Sequence, residues 1–191
     1  DHARAAGTAI LEIYDRDDVG VTTKNDESPL TEADLASHRI LMSSLRASMP
    51  DVPILSEESE MPAFDERRSW HSYFLIDPLD GTKEFINRNG EFTVNIALIQ
   101  DGMAVMGVVH VPVTGQTYTG MVSSGRRVAH LVDADDQATE ISTRSLRRGT
   151  LGVVGSRRHG SEALAAMVTR LQEEFDDVEV LSMGSSLKLC L

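Results

Sequence analysis

Two stretches near the N-terminus place apolar residues at helical spacing. In residues 2–15 this spacing predicts a helix, and the charged, aperiodic stretch 15–27 is predicted to be a loop. Residues 31–34 (Thr-Glu-Ala-Asp) have the pattern of a capping box, in which first-turn side chains bond the free N–H groups of a helix. A second helix is therefore predicted from this box to Pro50, because the residue before a proline disfavours helical backbone.

The middle of the chain has the short apolar runs and the alternation that are typical of β-strands. From Phe92 onward apolar and polar positions alternate, and Asp101-Gly102 has hairpin-turn chemistry. Strands are predicted at 52–55, 73–76, 92–98, 103–113, 117–122 and 127–132. The second of these runs directly into Asp77, and the later ones are predicted to form an antiparallel meander.

The pattern changes after a polar stretch at 133–148. A strand, a helix, a strand and the start of another helix are predicted at 150–154, 161–175, 178–181 and 185–191. A strand–helix–strand unit normally belongs to a sheet that is covered on both faces. We therefore predict an α/β fold in two parts, an α+β domain over 1–145 and an α/β domain over 146–191. Because such a unit cannot close a core alone, we expect the second domain to be incomplete and the chain to be part of a longer protein.

Composition narrows the class of protein. The 191 residues are 41% hydrophobic and 25% charged, as in ordinary globular proteins. The apolar runs are too short to cross a bilayer, so no transmembrane segment is predicted. The single cysteine, Cys190, excludes an internal disulfide and fits a reducing compartment. With no secretory leader pattern at its start, the sequence favours a cytoplasmic protein, and peripheral attachment to the inner membrane stays open as an alternative.

The net charge limits the partners. At −12 it disfavours a nucleic-acid polymer, because duplex binding needs a basic face that displaces counterions. A small anionic substrate could still bind if a local positive charge at the site offsets the negative potential of the protein. A divalent cation that bridges protein carboxylates and phosphate oxygens supplies such a charge.

The candidate chemistry lies in the segment 77–82 (Asp-Pro-Leu-Asp-Gly-Thr). Two carboxylates follow directly on a strand, and the proline between them makes the turn rigid. Gly81 can take the positive φ of a tight turn, and Thr82 is predicted to cap a short helix after it. Two acids beside a helix N-terminus predict a metal site next to an anion site, with a plain turn as the alternative.

Two further acidic positions are candidates. The segment 56–59 (Ser-Glu-Glu-Ser) ends the preceding predicted strand, so its acids could converge with Asp77, or it could be a solvated loop. Asp34 could join them, or serve only as the first-turn acid of the capping box.

These motifs carry a family resemblance. The segment 77–82, together with Glu-Glu-Ser at 57–59, resembles the signature of the inositol-monophosphatase superfamily of metal-dependent, lithium-sensitive phosphatases. Within it, the residues that follow Thr82 resemble the CysQ-type 3′(2′),5′-bisphosphate nucleotidases. The matching segments are 83–86, 90–98, 156–159 and 184–188. The resemblance extends over nearly the whole chain, and it implies a layered α-β-α-β-α sugar-phosphatase-like fold and a role in sulfur metabolism.

The resemblance also implies residue roles. Two or three Mg²⁺ ions would be held by Glu57, Asp77, Asp80 and the backbone carbonyl of Leu79. Asp34 and Thr82 would position or deprotonate the attacking water, with Glu57 sharing that task. The residues implied in substrate binding are Glu57, Leu79, Asp80, Gly81, Thr82, Ser156, His159, Ser185 and Lys188. Within that set, the backbone N–H groups of Gly81 and Thr82 would bind the phosphate, and the last four would hold the nucleotide part.

Two of these roles have plainer alternatives, since His159 could be a surface histidine and Lys188 a solvated helix lysine. The family also carries a further metal-binding aspartate in a Trp-Asp-x-Ala-Ala-Gly motif. The only tryptophan here is Trp70, and the motif does not occur. The resemblance therefore implies one metal ligand that this sequence does not contain.

The expected reaction is Mg²⁺-dependent hydrolysis of adenosine 3′,5′-bisphosphate to AMP and phosphate by a metal-activated water. 3′-Phosphoadenylyl sulfate stays open as a second substrate. An inositol monophosphatase or a fructose-1,6-bisphosphatase-like sugar phosphatase is the alternative with the same chemistry. A non-catalytic regulatory protein that binds a metal or a nucleotide is the alternative from another class.

Overall fold

A computed structural model describes residues 1–24, 28–146, 149–156 and 162–191. Within these ranges the helices are α1 His2–Tyr14, α2 Glu32–Ser48, α3 Phe64–Arg67, α4 Thr82–Ile86, α5 Glu162–Glu174 and a 3₁₀ helix Ser186–Leu189. The strands are β1 Thr22–Thr23, β2 Pro29–Leu30, β3 Ile54–Ser56, β4 Ser72–Asp80, β5 Thr93–Gln100, β6 Met103–His110, β7 Thr117–Ser123, β8 Arg126–Val132, β9 Ala138–Glu140, β10 Thr150–Ser156 and β11 Asp177–Met183.

The largest sheet is an extended meander. Its seven strands follow the chain in the order β3 to β9. Only β3 and β4 pair in parallel, and every later pair is antiparallel. The predicted antiparallel meander is confirmed. Alternate residues of β4 and β5, such as Phe74, Ile76, Val94 and Ile96, are buried in the main core together with residues of α1 and α2.

The start of α2 follows the predicted capping box. The Thr31 hydroxyl oxygen accepts the Ala33 N–H at 3.2 Å, and the Asp34 carboxylate accepts the Thr31 N–H at 2.8 Å. Two N-terminal N–H groups that the helix cannot pair internally are thereby satisfied. The helix ends at Ser48, two residues before Pro50.

Several element boundaries differ from the prediction. The strand predicted at 52–55 lies at Ile54–Ser56, and the one predicted at 103–113 ends at His110 because the chain then turns, with the Val111 N–H bonded to the Gln116 carbonyl at 2.8 Å. The loop predicted at 15–27 contains β1, which pairs with β2, and its residues 25–27 lie outside the described ones. The short elements β1, β2, β9 and α3 span too few residues to show a period.

The predicted strand–helix–strand unit is also present. β10 and β11 pair in parallel from Thr150↔Asp177 to Ser156↔Met183, and α5 connects them. The helix predicted from 185 is a short 3₁₀ helix. The division of the chain into domains at residue 145 stays a prediction. No helix among the described residues has the length and apolar character needed to cross a membrane.

His110, at the end of β6, is a buried titratable group in this fold. Its Nδ1 lies 2.9 Å from the Thr117 hydroxyl oxygen, and a Cβ on Gly7 of α1 would lie only 2.6 Å from its Nε2. Burial lowers the pKa of His110 to about 4, and the positive charge of Arg4 acts in the same direction. The folded protein therefore keeps this imidazole neutral at physiological pH.

We expect His110 to lower the free energy of unfolding as the pH falls from 6.5 toward 4. In that window the unfolded chain protonates this histidine, whose ordinary pKa is 6.5, while the folded chain does not. The stability above pH 6.5 is thus lost progressively, by at most about 3 kcal/mol. Urea unfolding of the wild type and of His110→Gln at pH 7.5 and 5 measures this, since the difference between the two proteins should change with pH. A pH-independent difference would contradict it.

Candidate active site

Asp34 and Thr82 connect the first turn of α2 to the end of β4. The Thr82 hydroxyl donates to Asp34 Oδ1 at 3.1 Å, while Asp34 Oδ2 accepts the Thr31 N–H and hydroxyl at 2.8 and 2.6 Å. Asp34 is fully buried. Burial raises the pKa of Asp34 above its ordinary value, and the hydrogen bonds from Thr31 and Thr82 oppose that rise.

The prediction that Thr82 caps the following helix is wrong. α4 begins at Thr82 itself, and its N-cap residue is Gly81 with φ 95° and ψ 42°. The prediction of a positive φ at Gly81 is confirmed. Because the helix begins one residue earlier than predicted, Gly81 takes the N-cap position, and the Thr82 hydroxyl donates to the Asp34 carboxylate of α2.

A bulge in β4 brings Asp77 and Asp80 to the same side of the sheet. Residues three apart normally point to opposite faces of a strand. Here Asp77 pairs with Asn95 and Asp80 pairs with Thr93, two residues apart on β5, and the register shifts between them. The extra residue re-aims the second acid. Pro78 lies in the bulge, where its missing N–H interrupts no regular ladder.

Asp77 is the centre of a group of neighbouring carboxylates. Burial, followed by the negative charges of Glu57 and Asp80, raises the pKa of Asp77 to about 8. Glu57 is held next to β4 because its N–H donates to the Ile76 carbonyl at 3.2 Å. The Leu79 N–H donates to Asp77 Oδ1 at 3.2 Å. Glu57 and Asp80 therefore both repel Asp77, and this repulsion favours a cation at this point.

A lysine that sequence reasoning missed contacts this group. Lys24 Nζ lies 3.0 Å from Glu57 Oε1 and 2.6 Å from Glu58 Oε1. Burial alone would lower the pKa of Lys24, but the hydrogen bonds to Glu58 and Glu57 outweigh it and raise the pKa to about 12. No pattern in the sequence indicated this pairing, because Lys24 lies 33 residues before Glu57.

An aromatic cluster that includes Phe85 of α4 packs in the core. Phe85 and Phe92 are fully buried, with ring centroids 5.3 Å apart, and Tyr14 of α1 lies 5.2 and 5.0 Å from them. Their packing fixes the helix that follows the acidic segment.

A cavity of about 390 Å³ opens where residues of the three sheets meet. Its lining residues are Ser28, Pro29, Glu57, Asp80, Gly81, Thr82, Lys83, Glu84, Ser156, Gly184, Ser185 and Lys188. Seven residues predicted for the site are among them: Glu57, Asp80, Gly81, Thr82, Ser156, Ser185 and Lys188. Asp34, Asp77 and Leu79 do not line it, although Asp34 and Asp77 interact with residues that do. His159 lies outside the described residues.

The donor atoms fit a hard divalent cation. All of them are oxygens, and Asp77 is buried beside two other carboxylates. Among the described residues, no group of three or more Asp, Glu, His or Cys side chains is already arranged as a metal cage. The acids are neighbours around Asp77, and the Lys24 ammonium on Glu57 shows that a positive charge is stabilised at this edge.

Comparison with known proteins agrees with this architecture. The model of the inositol monophosphatase family matches residues 1–191. The chain is 43% identical over 190 residues to the 3′(2′),5′-bisphosphate nucleotidase CysQ of Escherichia coli (strain K12), covering 99% of this chain and 72% of that protein. It is 36% identical over 190 residues to the CysQ protein of Buchnera aphidicola, covering 99% and 68%.

A solved structure shares the fold. The crystal structure of CysQ from Bacteroides thetaiotaomicron, a bacterial member of the inositol monophosphatase family, gives a TM-score of 0.81 at 35% identity, covering 100% of this chain and 73% of that one. Fold and site together define an α/β protein of the metal-dependent phosphatase class. The chain belongs to the inositol monophosphatase family.

We expect Gly81→Ala to cost more stability than Gly102→Ala. Both glycines have positive φ, 95° and 78°, so each substitution introduces backbone strain of about 1 kcal/mol. Only at Gly81 would the new Cβ meet neighbours, at 3.2 Å from the Glu91 carbonyl oxygen and from Ser185 Cβ, whereas at Gly102 it meets nothing within 4 Å. Urea unfolding should show an additional loss of about 1 kcal/mol or more for Gly81→Ala. Equal losses would mean that this turn is less tightly enclosed.

Proposed function

We propose that this protein hydrolyses adenosine 3′,5′-bisphosphate to AMP and phosphate. The observation that carries the proposal is one cavity lined by Glu57, Asp80 and Thr82, in which Thr82 is hydrogen-bonded to Asp34 and the two acids are neighbours of Asp77. The CysQ relatives are named as 3′(2′),5′-bisphosphate nucleotidases, and this supports the substrate class. In the reaction, a water oxygen forms a bond to phosphorus, the bond from phosphorus to the 3′-oxygen breaks, and the leaving 3′-oxygen takes up a proton.

Glu57, Asp77, Asp80 and the Leu79 carbonyl would hold two or three Mg²⁺ ions. When bound, these ions would lower the pKa of the attacking water and neutralise charge on the phosphate and the leaving oxygen. The acidic cavity needs such ions, because carboxylates alone would repel a phosphate. Lys24 already lies on Glu57, and its ammonium lowers the negative potential at that edge.

Asp34 and Thr82 would move the proton of the attacking water. Thr82 lines the cavity, and its hydroxyl donates to Asp34 Oδ1 at 3.1 Å, so its oxygen lone pairs are free to accept a proton from water. The proton of the hydroxyl would then pass to Asp34. Burial raises the pKa of Asp34 and makes this carboxylate a better base than an exposed aspartate.

The opposite wall of the cavity would hold the nucleotide. Ser156, Ser185 and Lys188 line it beyond the acids, and the lysine supplies positive charge for an anionic group. The N–H groups of Gly81 and Thr82 are proposed to bind the phosphate that reacts. The role of His159 in this wall stays a prediction. We infer a cytoplasmic location, because the single cysteine fits a reducing compartment.

Phosphate release by the intact protein with Mg²⁺ tests the proposal. The value of kcat/KM for adenosine 3′,5′-bisphosphate should exceed that for inositol 1-phosphate at least tenfold, and lithium should inhibit the reaction. Asp80→Asn should lower kcat by about 10² or more, since a charge that holds the cation is lost. Asp101→Asn removes an exposed acid in the β5–β6 turn and serves as the matched control, with unchanged activity.

Two outcomes would contradict the proposal. Equal or better turnover of inositol 1-phosphate would favour the sugar-phosphatase alternative. Nucleotide binding without any phosphate release would favour the regulatory alternative.

A further inference from the structure

Ser186 connects the C-terminal segment to an acid of the proposed metal site. It is the first residue of the 3₁₀ helix after β11, and its backbone N–H donates to Asp80 Oδ2. This contact joins residues 106 positions apart in the chain. Nothing in the sequence pattern singles Ser186 out for a role at the acids.

The Ser186 side chain closes a ring of hydrogen bonds around the same carboxylate oxygen. Its hydroxyl donates to Asn95 Oδ1 at 2.9 Å, and Asn95 Nδ2 lies 3.4 Å from Asp80 Oδ2. Because the Ser186 hydroxyl has one proton, the Thr93 hydroxyl 2.9 Å away must be the donor in their contact. Thr93 is fully buried, so this arrangement has few alternatives.

The two carboxylate oxygens of Asp80 differ in their hydrogen-bond partners. Oδ2 receives two N–H donors, from Ser186 and Asn95, whereas among the described residues no hydrogen bond reaches Oδ1. A carboxylate held by one oxygen cannot rotate freely, and its second oxygen keeps its lone pairs for another ligand.

The chain just before Ser186 is closely packed against its neighbours. The Gly184 N–H donates to Glu91 Oε2 at 2.8 Å, and a Cβ on Gly184 would lie 2.3 Å from Glu84 Cγ. The segment therefore reaches Asp80 only because residue 184 has no side chain.

We propose that Ser186 is a positioning residue that orients the Asp80 carboxylate for cation binding. The proposal rests on the proposed function, in which Asp80 is a metal ligand. The C-terminal segment then contributes to the metal site without supplying a ligand. A purely structural hydroxyl would affect the stability of the protein and leave the cation affinity unchanged, so the two roles can be separated.

Binding of Mn²⁺, as a spectroscopic substitute for Mg²⁺, tests this without any substrate. Electron paramagnetic resonance of free Mn²⁺ should show that Ser186→Ala weakens binding about five- to tenfold, because the variant keeps its backbone N–H on Asp80 but loses the hydroxyl that holds Asn95 against the same carboxylate oxygen. Asn95→Ala should have a similar effect, and the double variant should be little weaker than either, because both act through one ring. Ser123→Ala removes an exposed hydroxyl at the end of β7 and should bind Mn²⁺ like the wild type.

Wild-type Mn²⁺ affinity in folded Ser186→Ala and Asn95→Ala would overturn the proposal, whatever the stability of these variants. If Ser186→Ala does not fold, Asn95→Ala decides alone. A wild type that binds Mn²⁺ but releases no phosphate would overturn the proposed function and leave this inference to the binding data. A wild type that binds no Mn²⁺ would overturn this inference as well.

Discussion

The Asp77 carboxylate is buried beside two other carboxylates, and the rest of the site depends on this crowding. Taking one ionised group out of water is costly, and two negative neighbours increase the cost, which is why the pKa of Asp77 rises to about 8. The fold holds the group together by a bulge in β4 and by the β3–β4 pairing that brings Glu57 alongside. Such an arrangement stores unfavourable electrostatic energy, which a bound divalent cation relieves.

The two sides of this acidic group have different physical characters. On the α2 side, Asp34 is paired with the Thr82 hydroxyl and buried, which suits proton transfer. On the opposite side, Asp80 is held through one oxygen by backbone and amide donors, which suits a fixed ligand. The same residue type thus stands in two different environments because the surrounding donors differ. Asp80, Ser185 and Lys188 line one cavity, so an acid of the site lies near a cation of the segment after β11.

Much of the fold could be predicted because its determinants are local. The capping box of α2, the meander and the positive φ of Gly81 each depend on neighbouring residues or on a simple period. The partners of Thr82 and Ser186 could not be predicted, since they lie 48 and 106 residues away. The capping role expected for Thr82 was wrong because α4 begins one residue earlier than predicted, with Gly81 at the N-cap position. Lys24 was missed because a single lysine in a polar loop carries no pattern.

The central claim is that Asp77 and its neighbours form a cation site at the edge of β4. The most direct measurement is anomalous diffraction from crystals of the intact protein grown with Mn²⁺. The account predicts at least one Mn²⁺ within about 2.0–2.4 Å of carboxylate oxygens of Asp77 and Asp80, with Glu57 as a further ligand. Mn²⁺ bound elsewhere, with these carboxylates paired only to protein donors, would contradict it.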